Sequence, residues 1–487
     1  MTNGGGPPLR VAVVGAGMAG ILSGVKLRDA GITDFTIYEK GDGPGGTWRE
    51  NTYPGLACDV PSHLYSYSFA PNPDWSHRFS PGPEILDYFS RVASEHGIEA
   101  HARYGDGVAS CTFVDGRWHI ETERGRQDVV DVVIAATGVL HHPRYPEIEG
   151  LDTFDGATFH SARWDHDVTI DGARVGVIGT GPTAVQITAA IVDRVATLSL
   201  FQRTAQWIMP QENPPYTAEE QQAYRREPDR LLAAHDHLSE MFGMFAQAVV
   251  DADSPQIRVI EDICLANLET SVHDTELRER LRPDYRAACK RLVVSPDFYD
   301  AIQRPNAELV TSGIARVEPP GVRTRNDRLH ELDVLVLATG FRTNAFTRPM
   351  AVRGRDGISL DDVWSERPNA YLSISVPGFP NFFMLNGPNG PVGNFSLIEV
   401  AELQFDYILQ LIERVRTGEC RALEPKVEAM ESFEAERVAA TKHTIWATGC
   451  RSWYLDDRGV PASWPFSFTR FREEMAAPRP DAYLMHG

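Results

Sequence analysis

Apolar positions in this chain come in short unbroken blocks, and two stretches repeat one plan. Residues 9–14 form an apolar run of the kind a parallel strand needs when both faces are buried. Gly15, Gly17 and Gly20 come next, then a helical stretch at 21–30 and a second apolar run at 35–38 closed by Glu39. The plan returns at 174–178, with Gly179, Gly181 and Ala184, a helix at 185–195 and a strand at 198–201. Two more runs, 132–135 and 334–337, each end in Ala-Thr-Gly, at 136–138 and 338–340. Both read as strand ends where the chain passes close to a ligand. The pattern predicts an α/β protein with two dinucleotide-binding, Rossmann-like domains.

The rest of the chain is assigned around these two units. Residues 1–150 form the first part of one nucleotide domain and 151–213 the first part of the other. Residues 214–287, rich in Ala, Glu, Leu, Arg and Met, read as a helical insertion. The second domain resumes at 288–343, and 344–487 return to the first. Within that last part, Asn386 lies in a turn at 385–389 whose subsequent helix, 397–417, can aim its N-terminus at a ligand.

Composition narrows the function. At 487 residues, 42% hydrophobic and 23% charged, the chain has the profile of a globular protein of several domains. A formal net charge of −20 argues against nucleic acid or an anionic membrane as partner, and bound phosphates then need local devices. No apolar run reaches the roughly 18–20 residues of a membrane span. Residues 1–8 lack a hydrophobic segment and read as a disordered lead-in, not a secretory signal. The six cysteines include no Cys-x-x-Cys pair, so free thiols in a reducing cytoplasm are expected.

The two glycine motifs differ in the residues downstream of them. In the first unit Gly15, Gly17 and Gly20 let the backbone approach a pyrophosphate, and Glu39 suits a ribose diol. Gly46, Thr47 and Trp48 open a long polar and aromatic loop at 51–69, an extension suited to walling in an isoalloxazine ring. FAD is assigned there. In the second unit, Arg203 and Thr204 stand where the first has Glu39. A carboxylate would repel a 2′-phosphate, whereas a guanidinium pairs with one, so this site is assigned NADPH.

Phe154, Gly156, His160, Trp164 and Asp165 form a spaced motif between the units. It resembles the fingerprint of the Baeyer–Villiger monooxygenases, and the segments at 45–48, 53–63, 202–204 and 290–291 are similar to family segments in family order. The resemblance implies an enzyme that converts a ketone to an ester or lactone with O2, through a flavin C4a-peroxide. It further implies that Arg291 is the catalytic arginine, Asp59 its acidic partner, and Lys290 a third group on the 2′-phosphate. His160 is read as a hinge or packing residue. The C-terminal stretch at 449–454 departs from the best-known cyclic-ketone enzymes, and its aromatic content points to a hydrophobic ketone. The alternative is a related flavin enzyme that oxidises sulfur or nitrogen.

Overall fold

A computed structural model describes residues 9–393, 395–450, 452 and 454–487. The lead-in at 1–8 and Trp453 of the C-terminal motif lie outside the described residues. The chain builds two five-stranded parallel sheets in which four of the strands follow the same internal order. In the first, Val11–Val14 is central, flanked by Phe35–Tyr38 and then Ala102–Arg103 on one side, and by Val132–Ala135 and then Phe382–Met384 on the other. In the second, Arg174–Ile178 is central, with Thr197–Phe201 and Ala307–Val310 on one side and Val334–Leu337 and Ala157–His160 on the other. Val11–Val14, Val132–Ala135 and Val334–Leu337 are buried throughout, as strands inside a parallel sheet covered on both faces must be.

The two helices after the glycine motifs begin earlier than periodicity predicts, at Met18–Asp29 and Pro182–Ile191. The last motif residues are themselves the first helical turn. Gly20 is packed so tightly there that a Cβ would strike the Gly15 carbonyl. Each unit also carries a small sheet that hydrophobic runs alone do not predict. Val108–Val114, Arg117–Thr122 and Gln127–Val130 form a meander beside the first, and Ile314–Glu318, Gly321–Thr324 and Leu329–Glu331 one beside the second.

The motif at 154–165 is not a free connector: its residues Ala157–His160 are the edge strand of the second sheet. Beside it run the two passages between the sheets, antiparallel and bonded to each other. Arg144 N–H donates to the Gly340 carbonyl at 2.8 Å, and Arg342 N–H to that of His142 at 2.9 Å. His160 braces this junction. Its Nε2 donates to the Gly340 carbonyl at 3.0 Å, while Nδ1 accepts from Ala162 N–H at 3.1 Å, so the two contacts select one neutral tautomer. Burial lowers the His160 pKa, which keeps the ring in that form.

The insertion comprises the helices Ala218–Arg226, Pro228–Val250, Pro255–Ser271 and Thr275–Leu281. It covers the loop at 51–69, where His63 packs against Tyr216 and Tyr224 with ring centroids at 5.1 and 4.6 Å. His63 is buried, and neither ring nitrogen has a hydrogen-bond partner among the described residues. Burial, with a smaller push from His235, moves its pKa down to about 4. A histidine held neutral in the fold but protonated below about 6.5 when unfolded has no pH-dependent effect above that pH and destabilises the fold increasingly as pH falls from 6.5 toward 4. His63→Phe, which keeps the packing and removes the titration, is therefore expected to raise the thermal unfolding midpoint relative to wild type at pH 5. At that pH the wild-type penalty is up to about 2 kcal/mol. At pH 7.5 the gap between the two midpoints should shrink by the amount of that penalty.

Candidate active site

Both glycine motifs meet the same obstacle, a carbonyl from the Ala-Thr-Gly turn. Gly15 and Gly179 have φ of 105° and 126°. A Cβ on the first would strike the Ala136 carbonyl, and on the second that of Ala338. Only glycine fits both the conformation and the space. Gly17 and Gly181 then occupy the N-cap positions of their helices. Neither supplies a capping side chain, and neither helix has an acid in its first turn, so the end amides and dipole are left for phosphates. Gly46, at φ 53°, lies with its backbone against Gly17, where a Cβ would come within 2.9 Å of the Gly17 Cα. A bare backbone on both sides is the cradle a pyrophosphate needs, and the residues fit the group.

Glu39 stands buried at the end of the second strand. Its Oε2 accepts from Ala16 N–H at 2.7 Å and its Oε1 from Gly41 N–H at 2.8 Å, with Arg49 at 3.2 Å. The carboxylate thus fastens the glycine loop at the position where a ribose diol would lie. Arg49 carries no sequence signal of its own, although it directly succeeds the Gly46, Thr47 and Trp48 segment. Thr47 is exposed on the short helix Thr47–Glu50, and the Trp48 indole N–H donates to the Tyr65 hydroxyl at 3.1 Å. Asn386, at φ 52°, donates its backbone N–H to Gln404 at 2.7 Å. Its buried Oδ1 has no partner among the described residues, which fits a group able to meet a cofactor's N–H.

At the second site Arg203 is exposed just past Thr197–Phe201, and the Thr204 carbonyl accepts from the Thr180 hydroxyl at 2.8 Å. Lys290 lies 4.4 Å over the Tyr285 ring. Its pKa is lowered by burial and then by the neighbouring Arg203 charge. Two cations drawn from distant segments repel each other, and an anion between them relieves that repulsion.

The centre of the arrangement is Arg291. Its Nε donates to Asp59 Oδ2 at 2.8 Å, its Nη2 to Oδ1 at 2.5 Å, and its Nη1 to the Gly393 carbonyl at 3.1 Å. Burial would lower the guanidinium pKa, but the Asp59 charge and then Tyr454 outweigh it and raise it. Asp59 comes from the loop at 51–69, which the proposed FAD site would place on the flavin side. That loop is clamped to the helix Pro182–Ile191 of the second unit: the Tyr53 hydroxyl donates to Gln186 Oε1 at 2.9 Å, and Gln186 Nε2 donates to the Ala57 carbonyl at 3.0 Å.

The expectation of free thiols throughout is corrected beside this pair. Cys289 and Cys450 form a disulfide across 161 residues, while Cys58, Cys111, Cys264 and Cys420 are free and buried. The pairing arises because the C-terminal segment folds back against the end of the helical insertion, which spacing along the chain could not reveal. Among the described residues no cluster suited to a metal occurs, and no helix is long and apolar enough to cross a membrane.

Comparison with known proteins agrees with the geometry. The chain matches the flavin-binding monooxygenase-like family over residues 9–217. It is 50% identical over 473 residues to an uncharacterized monooxygenase of Mycobacterium tuberculosis, covering 97% of this chain and 95% of that one. It is 39% identical over 471 residues to a Baeyer–Villiger monooxygenase of Streptomyces coelicolor, covering 96% and 90%. The chain belongs to the Baeyer–Villiger monooxygenases. Cyclohexanone monooxygenase from Rhodococcus, bound to NADP+, matches it with a TM-score of 0.87 at 28% identity, over 98% of this chain and 99% of that one. As a Baeyer–Villiger monooxygenase the chain is a flavin-dependent enzyme, and its cofactors are FAD and NADPH.

Gly17→Val places a branched side chain in the pyrophosphate cradle. The purified variant should lack the yellow flavin absorbance while keeping a wild-type far-UV circular dichroism spectrum; full FAD content would remove Gly17 from the site.

Proposed function

We propose that this monooxygenase oxygenates a small hydrophobic ketone with O2, giving an ester or lactone, and that Arg291 and Asp59 are the residues on which the reaction turns. The observation that carries this reading is the two-pronged ion pair between them, built from the flavin-side loop and from the segment that re-enters the second nucleotide unit. Bound FAD and NADPH supply the reducing equivalents and the activation of O2. Arg291 holds a fixed positive charge that no relevant pH removes. Such a charge stabilises negative charge developing on a ketone's carbonyl oxygen without any reorganisation at the moment of reaction. Asp59 fixes the plane of the guanidinium, because two parallel hydrogen bonds leave it little freedom.

Apolar neighbours support a hydrophobic substrate. Trp207, Ala287, Ala288, Ile445, Trp446 and Tyr454 pack into one cluster around Cys289, two residues from Arg291. Exclusion of water from such a corner strengthens the electrostatics within it. Glu39, Gly46, Thr47, Trp48 and Asn386 are assigned to FAD, and Arg203, Thr204 and Lys290 to the NADPH 2′-phosphate. A cytoplasmic setting accords with the need for NADPH.

Arg291→Ala should still let NADPH bleach the flavin while ester formation falls roughly 100- to 1,000-fold, the usual cost of removing an oxyanion partner. The measurement is product mass and hydrogen peroxide against NADPH consumed, over a panel of ketones and sulfides. Undiminished ester would sink the role of Arg291, and sulfoxide as the sole product would favour heteroatom oxidation. Arg203→Ala should raise the KM for NADPH roughly 10-fold or more, the scale of one lost charged hydrogen bond, and leave that for NADH nearly unchanged. Equal shifts would remove the phosphate contact.

A further inference from the structure

Asp59 occupies only the Nε–Nη2 edge of Arg291. The remaining Nη1 faces the loop after the Asn386 turn and donates to the Gly393 carbonyl at 3.1 Å. Gly393 is at φ 96°, and a Cβ built there would collide with the hydroxyl oxygen of Tyr454. The Tyr454 hydroxyl is thus seated directly over Gly393, the residue whose carbonyl holds Arg291 Nη1, and it is close enough for the Arg291 charge to act on it.

The C-terminal segment is built to deliver this tyrosine. The Tyr454 side chain is buried, with its ring centroid 5.9 Å from that of Trp446. The Tyr454 carbonyl accepts from Ala462 N–H at 2.7 Å. The next residues hold the Gly393 loop from its other end. Val392 N–H donates to the Ser463 hydroxyl at 3.3 Å, and Trp464 N–H donates to the Gly390 carbonyl at 3.0 Å. Upstream, the Cys289–Cys450 disulfide ties the same segment to a residue two before Arg291.

We propose that Tyr454 is a positioning residue for Arg291, completing with Asp59 and the Gly393 carbonyl a three-sided hold on the guanidinium. The inference rests on the proposed role of Arg291 and adds to it a role for the C-terminal segment. Burial raises the Tyr454 pKa, and the Arg291 charge offsets only part of that, so the hydroxyl stays protonated and meets the guanidinium as a neutral acceptor. A neutral acceptor can orient the guanidinium without cancelling the charge that the reaction needs.

Tyr454→Phe keeps the ring and its packing and removes only the hydroxyl. In the FAD-loaded enzyme the ester formed per NADPH should fall roughly tenfold, the scale of one hydrogen bond to a charged group, with peroxide making up the difference. The rate at which NADPH bleaches the flavin should not change. The second readout is independent of turnover. Thermal unfolding midpoints are compared for wild type, Tyr454→Phe, Arg291→Met and the double variant. Loss of the hydroxyl should lower the midpoint in the wild-type background. It should have little effect in the Arg291→Met background, where the guanidinium is already gone. An unchanged ester-to-NADPH ratio in Tyr454→Phe, or an equal midpoint drop in both backgrounds, overturns the proposal. Full ester yield from Arg291→Met would instead overturn the functional role of Arg291, and the midpoint cycle would still report on the contact.

Discussion

A guanidinium held by both oxygens of one carboxylate tolerates little misplacement, since two parallel hydrogen bonds must form in one plane. Asp59 and Arg291 satisfy that geometry across 232 residues of sequence. For them to meet, the flavin-side loop must leave the first nucleotide unit and dock on a helix of the second, and the four inserted helices must return the chain beside it. The pair is only partly buried, with 30% and 21% of the two side chains exposed, so its worth to stability is modest. Its value is placement: it sets a permanent cation where segments of both units converge.

That placement needs two rigid units in a fixed relation, and the same small device builds each of them. A glycine at positive φ lies under the carbonyl of an Ala-Thr-Gly turn, which draws two adjacent strand ends together and leaves the next helix with an uncapped N-terminus. The passages between the sheets run side by side and share hydrogen bonds at Gly340, with His160 as a third member. His160, which the sequence marks as a hinge or packing residue, is committed through both ring nitrogens to backbone.

A net charge of −20 would repel two phosphate-rich cofactors if it were spread evenly over the sites. Local arrangement answers this. Helix N-termini face both glycine loops, Arg49 sits beside Glu39, and Arg203 and Lys290 are drawn together at the second unit. The cysteines show the same dominance of place over count: four are isolated in the interior, and two from distant parts of the chain meet two residues from Arg291.

Much of this was legible in the sequence because it rests on local sterics. The strands at 35–38, 132–135, 174–178 and 334–337 stand at their expected residues, since a run buried on both faces carries its signal in its own composition. The glycines announced the nucleotide loops for the same reason, and the motif at 154–165, with the segments around Asp59 and Arg291, carried the family. The meander beside the first sheet had a readable mark in Asp115 and Gly116, both at positive φ as a two-residue hairpin turn requires. No local signal marked Arg49 against Glu39, the Gly393 carbonyl on Arg291, Tyr454 above it, or the Cys289–Cys450 link. Each is a contact that no motif in either segment encodes, so only the packing of the whole chain could decide it.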